Sequence, residues 1–286
     1  METQIGSEER PREAAARTMT PDVELVDVSL TFPAPRTGNL QPLYEHLSLS
    51  VERGSFTVVL GPSGCGKSTL LNVVDGLLKP TSAEGIRVMG KDIRQHPEQT
   101  RQLAYVFQSP RLLAWRTLRA NAEFGLRGLR VQPESRWDEL LDRYFAMVGL
   151  SEYRDYYPHQ VSGGMQQRAA IVRAWANEPR VLLMDEPFSH LDEISAAALR
   201  HELIQLWRRE DDRRTIIFVT HDISEAVQLG TRVVMLTQRP ASIAHDDVID
   251  LPYPRRPDDD AVFTTEKRLR SLFTAMAGGP GREAMP

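Results

Sequence analysis

The stretch Phe56-Thr57-Val58-Val59-Leu60 runs directly into Gly61-Pro62-Ser63-Gly64-Cys65-Gly66-Lys67-Ser68, and an apolar-rich run from Thr69 to Leu78 follows. The octet fits G-x-x-x-x-G-K-[ST], with a strand-like segment before it and a helix-like one behind. Each residue type has a reason to be there. Glycines admit backbone conformations in which successive N–H groups point inward as an anion nest. The helix behind adds its positive end. Lys67 supplies a point charge for β- and γ-phosphates, and the Ser68 hydroxyl is a magnesium ligand. Gly61, Pro62, Ser63, Gly64, Cys65, Gly66, Lys67, Ser68 and Thr69 are therefore the expected contacts to a nucleoside triphosphate. Cys65 has no His or second Cys near it in sequence and reads as a loop-packing residue rather than a nucleophile.

Working outward, Val181 to Met184 and Ile216 to Val219 are further apolar runs. Strands apolar on both faces belong to the middle of a parallel sheet covered by helices. Between these two, Leu199, Leu203, Leu206 and Trp207 share one helical face. Upstream, Val26, Val28, Leu30 and Phe32 alternate with Asp27, Ser29 and Thr31; residues 33–42 read as a loop; Leu47 to Val51 alternates again. That is the pattern of an antiparallel sheet with one wet face. Residues from about 109 to 178 read as mostly helical, with an apolar stripe at Leu140, Leu141, Tyr144, Phe145 and Val148. The expected fold is α/β, with a parallel-sheet core, an antiparallel β flank and an inserted helical lobe. Residues 1–20 are polar and charged without periodicity and read as a flexible tail. Past Leu251, Pro252, Pro254 and Pro257 with Arg255-Arg256 have a linker composition, and Phe263, Leu269, Leu272, Phe273 and Met276 sketch one amphipathic helix. A dimer contact, a regulatory element and a loosely docked tail are all open for that helix.

A second site of charge lies at Val181-Leu182-Leu183-Met184-Asp185-Glu186, an apolar strand ending in two acids. Asp185, at the strand tip, is placed to reach magnesium through water, and Glu186 could accept a proton from an attacking water.

Val161-Ser162-Gly163-Gly164-Met165-Gln166-Gln167-Arg168, about twenty residues ahead of this strand, resembles the signature motif of ATP-binding cassette (ABC) proteins. Gln108 in Tyr105-Val106-Phe107-Gln108 resembles that family's glutamine loop, Ser189-His190-Leu191-Asp192 its aspartate loop, and His221 in Val219-Thr220-His221-Asp222 its switch histidine. The elements stand in family order and span about residues 21–250. The resemblance implies an ABC ATPase with a nucleotide-binding domain over 21–251, its helical subdomain near 109–178, and a C-terminal segment over 252–286. It implies ATP and Mg²⁺ as ligands, with Ser68, Gln108 and Asp185 toward the metal and Glu186, His221, Gln108 and Lys67 as the catalytic set. It implies that Ser162, Gly163 and Gly164 bind the γ-phosphate held by a second cassette, and that Asp192 reaches across the same dimer. Phe32 is where the family places an aromatic under adenine; Tyr44 is the alternative, and plain core packing of Phe32 is open as well. Four positions depart from the commonest pattern: Val161 for Leu, Met165 for Gln, His190 for a small residue, and Asp75 where a small residue is expected. Asp75 has no explanation in the sequence.

Composition and local wording narrow the class. Of 286 residues, 41% are hydrophobic and 26% charged, as in a soluble globular protein, and 35 basic residues against 39 acidic ones disfavour a protein that grips nucleic acid through phosphates. No apolar run approaches the ~20 residues that cross a bilayer, the start is not a secretory signal, and a single cysteine fits a reducing compartment. Separate cassettes are typical of bacterial importers, and Tyr105 to Thr117, Tyr157-Pro158-His159-Gln160 and Gln238-Arg239-Pro240-Ala241-Ser242-Ile243 are similar to segments of nitrate/sulfonate/taurine importer ATPases. That resemblance implies transmembrane permease partners, a periplasmic or lipid-anchored solute-binding protein acting indirectly, a homodimer or paralogue heterodimer of cassettes, and a peripheral position on the cytoplasmic face of the inner membrane. A soluble nucleic-acid-associated ABC ATPase is the alternative, with charge and the single cassette against it.

Overall fold

The computed structural model describes residues 20–34, 38–129, 133–189, 191–209 and 214–277. In chain order it forms β1 (Pro21–Pro33), β2 (Leu40–Glu52), β3 (Phe56–Leu60), α1 (Lys67–Val74), β4 (Gly85–Val88), β5 (Lys91–Asp92) and β6 (Leu103–Val106). The helices α2 (Leu118–Leu129), α3 (Trp137–Met147) and α4 (Gly163–Trp175) come next, then β7 (Val181–Asp185) and α5 (Glu193–Arg209). The chain continues through β8 (Thr215–Thr220), α6 (Ile223–Leu229), β9 (Arg232–Leu236), β10 (Ile243–Val248) and α7 (Asp260–Ala277). One sheet has the order β10-β9-β3-β8-β7-β6, parallel throughout except for β10 on its edge; the other is antiparallel, β2-β1-β4-β5.

The apolar runs sit at the centre of the parallel sheet because both of its faces are covered. Successive side chains split between two cores: Val58 and Leu60 with Leu182, Met184, Ile216 and Phe218 on one side, Val59 with Val181, Leu183, Ile217 and Val219 on the other. The first core takes the stripe of α5 through Leu199, Leu203 and Trp207, whose indole meets Phe56 edge-on at 5.7 Å. It also takes Leu140, Leu141, Tyr144 and Phe145 of α3, so the helical lobe and the sheet share one core. The second core includes the buried face of the antiparallel sheet. Thr215 Oγ1 donates to Asp22 Oδ2 at 2.5 Å and ties the two sheets together.

Several local expectations are corrected. The alternation in β1 changes phase at Asp27, which takes φ 52° opposite a second bulge at His46 with φ 55°; Val23 and Leu25 are buried on one parity, Val28 and Leu30 on the other, and Val26 is half-buried. A bulge adds a residue and flips every side chain after it. β1 and β2 extend to Pro33 and from Leu40, so the loop is shorter than 33–42. Helix α1 stops at Val74, where Gly76 turns to φ 73°, and does not run to Leu78. Helix α4 begins at Gly163, because the Ser162 hydroxyl caps it by accepting from Met165 N–H at 3.3 Å. In α7 it is Val262 and Leu269 that are buried, while Phe263 faces solvent.

The segment expected as a linker is pinned instead. Arg255 is buried and donates to the carbonyls of Val227 (2.7 Å), Gly230 (2.5 Å), Ile249 (3.1 Å) and Leu251 (2.9 and 3.1 Å). Tyr253 Oη adds a bond to Leu229 O at 2.6 Å. The last carbonyls of α6, which have no partner within the helix, are thus closed by residues some 25 positions later. Of the N-terminal tail, only residue 20 lies within the described residues.

Candidate active site

The phosphate loop joins the end of β3 to α1. Gly64 and Gly66 take φ 79° and φ 113°. At Gly66 glycine is required twice over, since a Cβ there would also lie 2.5 Å from Tyr44 Oη and 2.9 Å from its Cζ. Tyr44 is wholly buried beneath the loop, and its hydroxyl donates to Gly66 O. Cys65 is also buried, its sulfur packed so close to Gly61 that a Cβ on that glycine would meet it at 2.7 Å. Burial pushes the Cys65 thiol pKa up, which keeps it protonated and inert. Lys67, 6% exposed, donates from Nζ to Gly61 O at 2.8 Å and Pro62 O at 3.3 Å, so its charge is held inside the curve of the loop.

At the next residue, Ser68 Oγ donates to Asp185 Oδ1 at 2.9 Å. Asp185 is buried, and desolvation raises its pKa, partly offset by the Ser68 hydrogen bond. A hydroxyl and a carboxylate at hydrogen-bond distance are hard oxygen donors of the kind magnesium prefers, and the carboxylate's desolvated charge is what a divalent cation would neutralise. The residues present fit the metal.

Glu186 is the next residue, yet its side chain leaves in another direction. It takes φ 42°, and its N–H donates to Val219 O at 2.9 Å, so the backbone turns sharply at the strand tip. Its Oε2 accepts from Gln108 Nε2 at 3.4 Å and lies 3.1 Å from His221 Nδ1, while Oε1 has no hydrogen bond among the described residues. Three residues far apart in sequence, each following a parallel strand (β6, β7 and β8), meet at one carboxylate oxygen. The left-handed turn at Glu186 is a local strain held by the surrounding sheet, of the kind found at functional sites.

Helix α4 holds the glutamine segment. Gln167 Nε2 donates to Phe107 O at 3.1 Å, and Arg173 donates to Arg111 O at 2.7 Å and Pro110 O at 2.9 Å. Any tilt of α4 is therefore passed to Gln108. These two residues, and Arg239, whose Nε donates to Gly64 O at 2.6 Å, were not among the residues expected at the site. Gln167 and Arg239 stand inside segments singled out in the sequence and Arg173 outside them; which carbonyls they meet depends on the fold.

The signature and aspartate loops stand apart. Gly163 has open space where a Cβ would be, and Gly164 packs on Leu191. Asp192 Oδ1 accepts from Ser195 N–H at 3.0 Å and caps α5. Among the described residues, no hydrogen bond or ion pair joins Ser162, Gly163, Gly164 or Asp192 to the phosphate loop, Asp185, Glu186 or His221. Phe32, 38% exposed, lies near the end of β1 with its ring partly open to solvent; Tyr44, its alternative for stacking adenine, is excluded by complete burial. Val161 and Met165 pack against the core as apolar substitutes should. His190 lies outside the described residues.

A parallel sheet with a glycine-rich loop between its β3 and α1, a hydroxyl–carboxylate pair behind it, and a second acid at the same strand tip as that carboxylate define a phosphate-loop nucleoside triphosphatase. The signature helix makes the class narrower: the chain belongs to the ABC transporter family, whose profile matches residues 44–189. It is 42% identical over 236 residues to the nitrate import ATP-binding protein NrtD of Synechococcus elongatus, covering 82% of this chain and 83% of that one. It is 36% identical over 254 residues to the aliphatic sulfonates import ATP-binding protein SsuB of Bacillus cereus, covering 88% and 95%. The fold matches the dimeric post-hydrolysis structure of the ATP-binding cassette MJ0796 bound to ADP and Pi, with a TM-score of 0.68 and 28% identity over 80% of this chain and all of that one. The chain is thus an ATP-binding subunit of the ABC class. Among the described residues, no helix is long and apolar enough to cross a membrane.

Proposed function

We propose that this chain is the ATP-hydrolysing subunit of an importer for a small organic or inorganic anion, of the nitrate/sulfonate/taurine type. The observation that carries the catalytic part is the meeting of Gln108 and His221 on Oε2 of Glu186, one residue from the Ser68–Asp185 pair. The relatives' printed roles in nitrate and sulfonate import support the transport part.

The chain's own groups divide the work. Gly61 to Thr69 cradle the phosphates with backbone N–H groups, and Lys67 carries positive charge to the β- and γ-phosphates. Ser68, Asp185 and Gln108 would hold Mg²⁺, which neutralises phosphate charge. With Oε2 oriented by two neighbours, Oε1 of Glu186 is left to take the proton of the attacking water. His221 holds that carboxylate from the neighbouring strand tip. Phe32 stacks the adenine. Ser162, Gly163 and Gly164 present the N-terminus of α4 to the γ-phosphate bound by a second cassette, with Asp192 at the same seam. The isolation of these groups from the other site residues within one chain supports that division. ATP then closes two cassettes, and hydrolysis reopens them. We treat residues 21–251 as the cassette, 109–178 as its helical subdomain and 252–286 as an appended segment. The partners are membrane permease subunits on the cytoplasmic face, with a solute-binding protein acting through them and no nucleic acid; the cassettes pair as a homodimer or with a paralogue.

Replacing the base tests the reading. Glu186→Gln keeps the shape and both Oε2 contacts but cannot take a proton, so ATP turnover should fall by roughly 10²–10⁴-fold while an ATP-dependent dimer accumulates in light scattering. Turnover at the parental rate would reject Glu186 as the base. Recovery of a multi-spanning permease with the tagged chain from its own membranes tests the transport part.

A further inference from the structure

Behind the switch histidine, α5 and residues 253–257 enclose an open groove of about 320 Å³. Arg200, Arg255 and Arg256 line it with His201, against the single acid Glu193. Their partners leave the groove short of negative charge. Arg255 spends its donors on neutral carbonyls and bonds no carboxylate; Asp250 acts on it only through the field. Arg256 has no side-chain partner among the described residues. Arg200 is 7% exposed, and its Nε, fully buried, has no hydrogen-bond partner among the described residues. Its Nη2 is met by Glu193 Oε1 at 2.6 Å, and its Nη1 lies 3.7 Å from Glu225 Oε1, an ion pair without a hydrogen bond. A guanidinium carries five donors in a fixed fork, and leaving one unpaired in a dry setting is costly.

Glu193 shows what chemistry this fork accepts. Its carboxylate oxygen meets a guanidinium seven residues further along α5, from a side chain that is 81% exposed. An anion held from the solvent side in this way is displaceable. Once Glu193 is displaced, the three arginines face only Glu225, which pairs with Arg200, and Asp250, which acts on Arg255, so the lining keeps a net positive charge that favours an anion, and the volume admits a phosphate-sized one with its water.

We propose that this groove is a binding site for a small oxyanion of the phosphate or sulfate class, which displaces Glu193 from Arg200 and takes up the unpaired Nε through a small turn of the guanidinium. The site is separate from the phosphate loop, and the inference stands whether or not Glu186 is the catalytic base. It is wired to the switch: Arg200 faces Glu225, whose Oε2 accepts from Thr220 Oγ1 at 2.6 Å, and Thr220 Oγ1 accepts from Asp222 N–H at 3.0 Å, bracketing His221. An anion that draws Arg200 away from Glu193 and Glu225 changes the support of the switch segment.

The test is calorimetric titration of the full chain with sulfate, and separately with inorganic phosphate, at constant ionic strength in chloride and with the phosphate loop filled by ADP. One anion per chain is expected under these conditions. Arg256→Glu should weaken binding tenfold or more, and Glu193→Gln should tighten it several-fold by removing the internal competitor, with parental melting curves for both variants. Preference for phosphate over sulfate would point to a protonatable ligand, and equal affinity to charge alone; either supports the site. Absence of binding once ADP is bound, or affinities unchanged in both variants, would overturn it, because the anion would then occupy only the phosphate loop or a site elsewhere.

Discussion

Single residues carry the chemistry here through their burial. Asp75 caps the C-terminal end of α1, where a negative charge opposes the helix dipole, and no side-chain partner meets it among the described residues. Burial pushes its pKa up to about 6. Because the folded value lies above the unfolded one, the protonated form is favoured by folding. Stability from this group is therefore complete below about pH 4 and is lost as pH rises through 6. Asp75→Asn should raise stability at pH 7.5 by roughly 1–3 kcal/mol, an advantage that shrinks toward zero as thermal melts are repeated down to pH 4. An advantage independent of pH would assign the effect to packing. Tyr44 is the opposite case, an aromatic whose value is its hydroxyl. Tyr44→Phe strips Gly66 O of one of its two donors, the other being Leu70 N–H at 2.8 Å, without opening a cavity, and should cost roughly 0.5–1.5 kcal/mol in denaturant melts and weaken ATP binding, because the hydroxyl helps to fix that carbonyl in the loop.

At the scale of elements, the helices act as holders. Helix α4 carries the signature at one end and, through Gln167 and Arg173, grips the glutamine segment with its body, so a force on the helical lobe reaches Gln108 without passing through the sheet. Helix α6 is closed at both ends by side chains: Asp222 accepts from Ser224 N–H at 2.7 Å at its start, and Arg255 and Tyr253 close the carbonyls at its finish. Helix α7 adds Glu266, whose Oε1 accepts from Ser224 Oγ at 2.8 Å. Arg255→Ala leaves buried carbonyls at four residues without that donor and should lower stability by roughly 2–4 kcal/mol, read as a fall in melting temperature. It should also loosen residues 250–257 in hydrogen exchange before the parallel strands open; uniform loosening of the whole chain would contradict this account of the segment as a local strap.

Across the whole molecule, the proposed catalytic cycle needs two cassettes, each supplying what the other lacks. Lys67→Ala removes the phosphate-loop charge of one chain; Gly163→Asp, at a position with open space for a side chain, places a negative charge at its signature. Each variant alone should be inactive, yet a mixture should recover up to about a quarter of the parental turnover, because half of the random dimers pair both lesions in one site and leave the other intact. An inactive mixture would refute the shared-site arrangement. Much of this was legible from residue order alone. The run Phe56 to Ser68, the acids after Met184 and the Ser162–Gly164 turn fix the loop, the metal-side carboxylate and the fold class, because short-range backbone demands and period-2 or period-3.6 burial are written locally. The strap at 252–259 looked like a linker, since composition records prolines and charges but not the carbonyls that Arg255 finds after the chain has turned back. The phase flip at Asp27 was hidden because a bulge depends on its partner strand. Gln108, Glu186 and His221 were each identifiable singly, but their meeting on one oxygen was not: it follows from the order of β6, β7 and β8 in the sheet, a long-range pairing that local sequence does not encode. The same holds for the arginine groove, whose charges come from α5 and from a segment more than fifty residues later. Sequence by itself determined which groups this protein offers as candidates for a phosphate site; only the tertiary structure decided which of them share an atom, because shared atoms are a property of packing between distant segments.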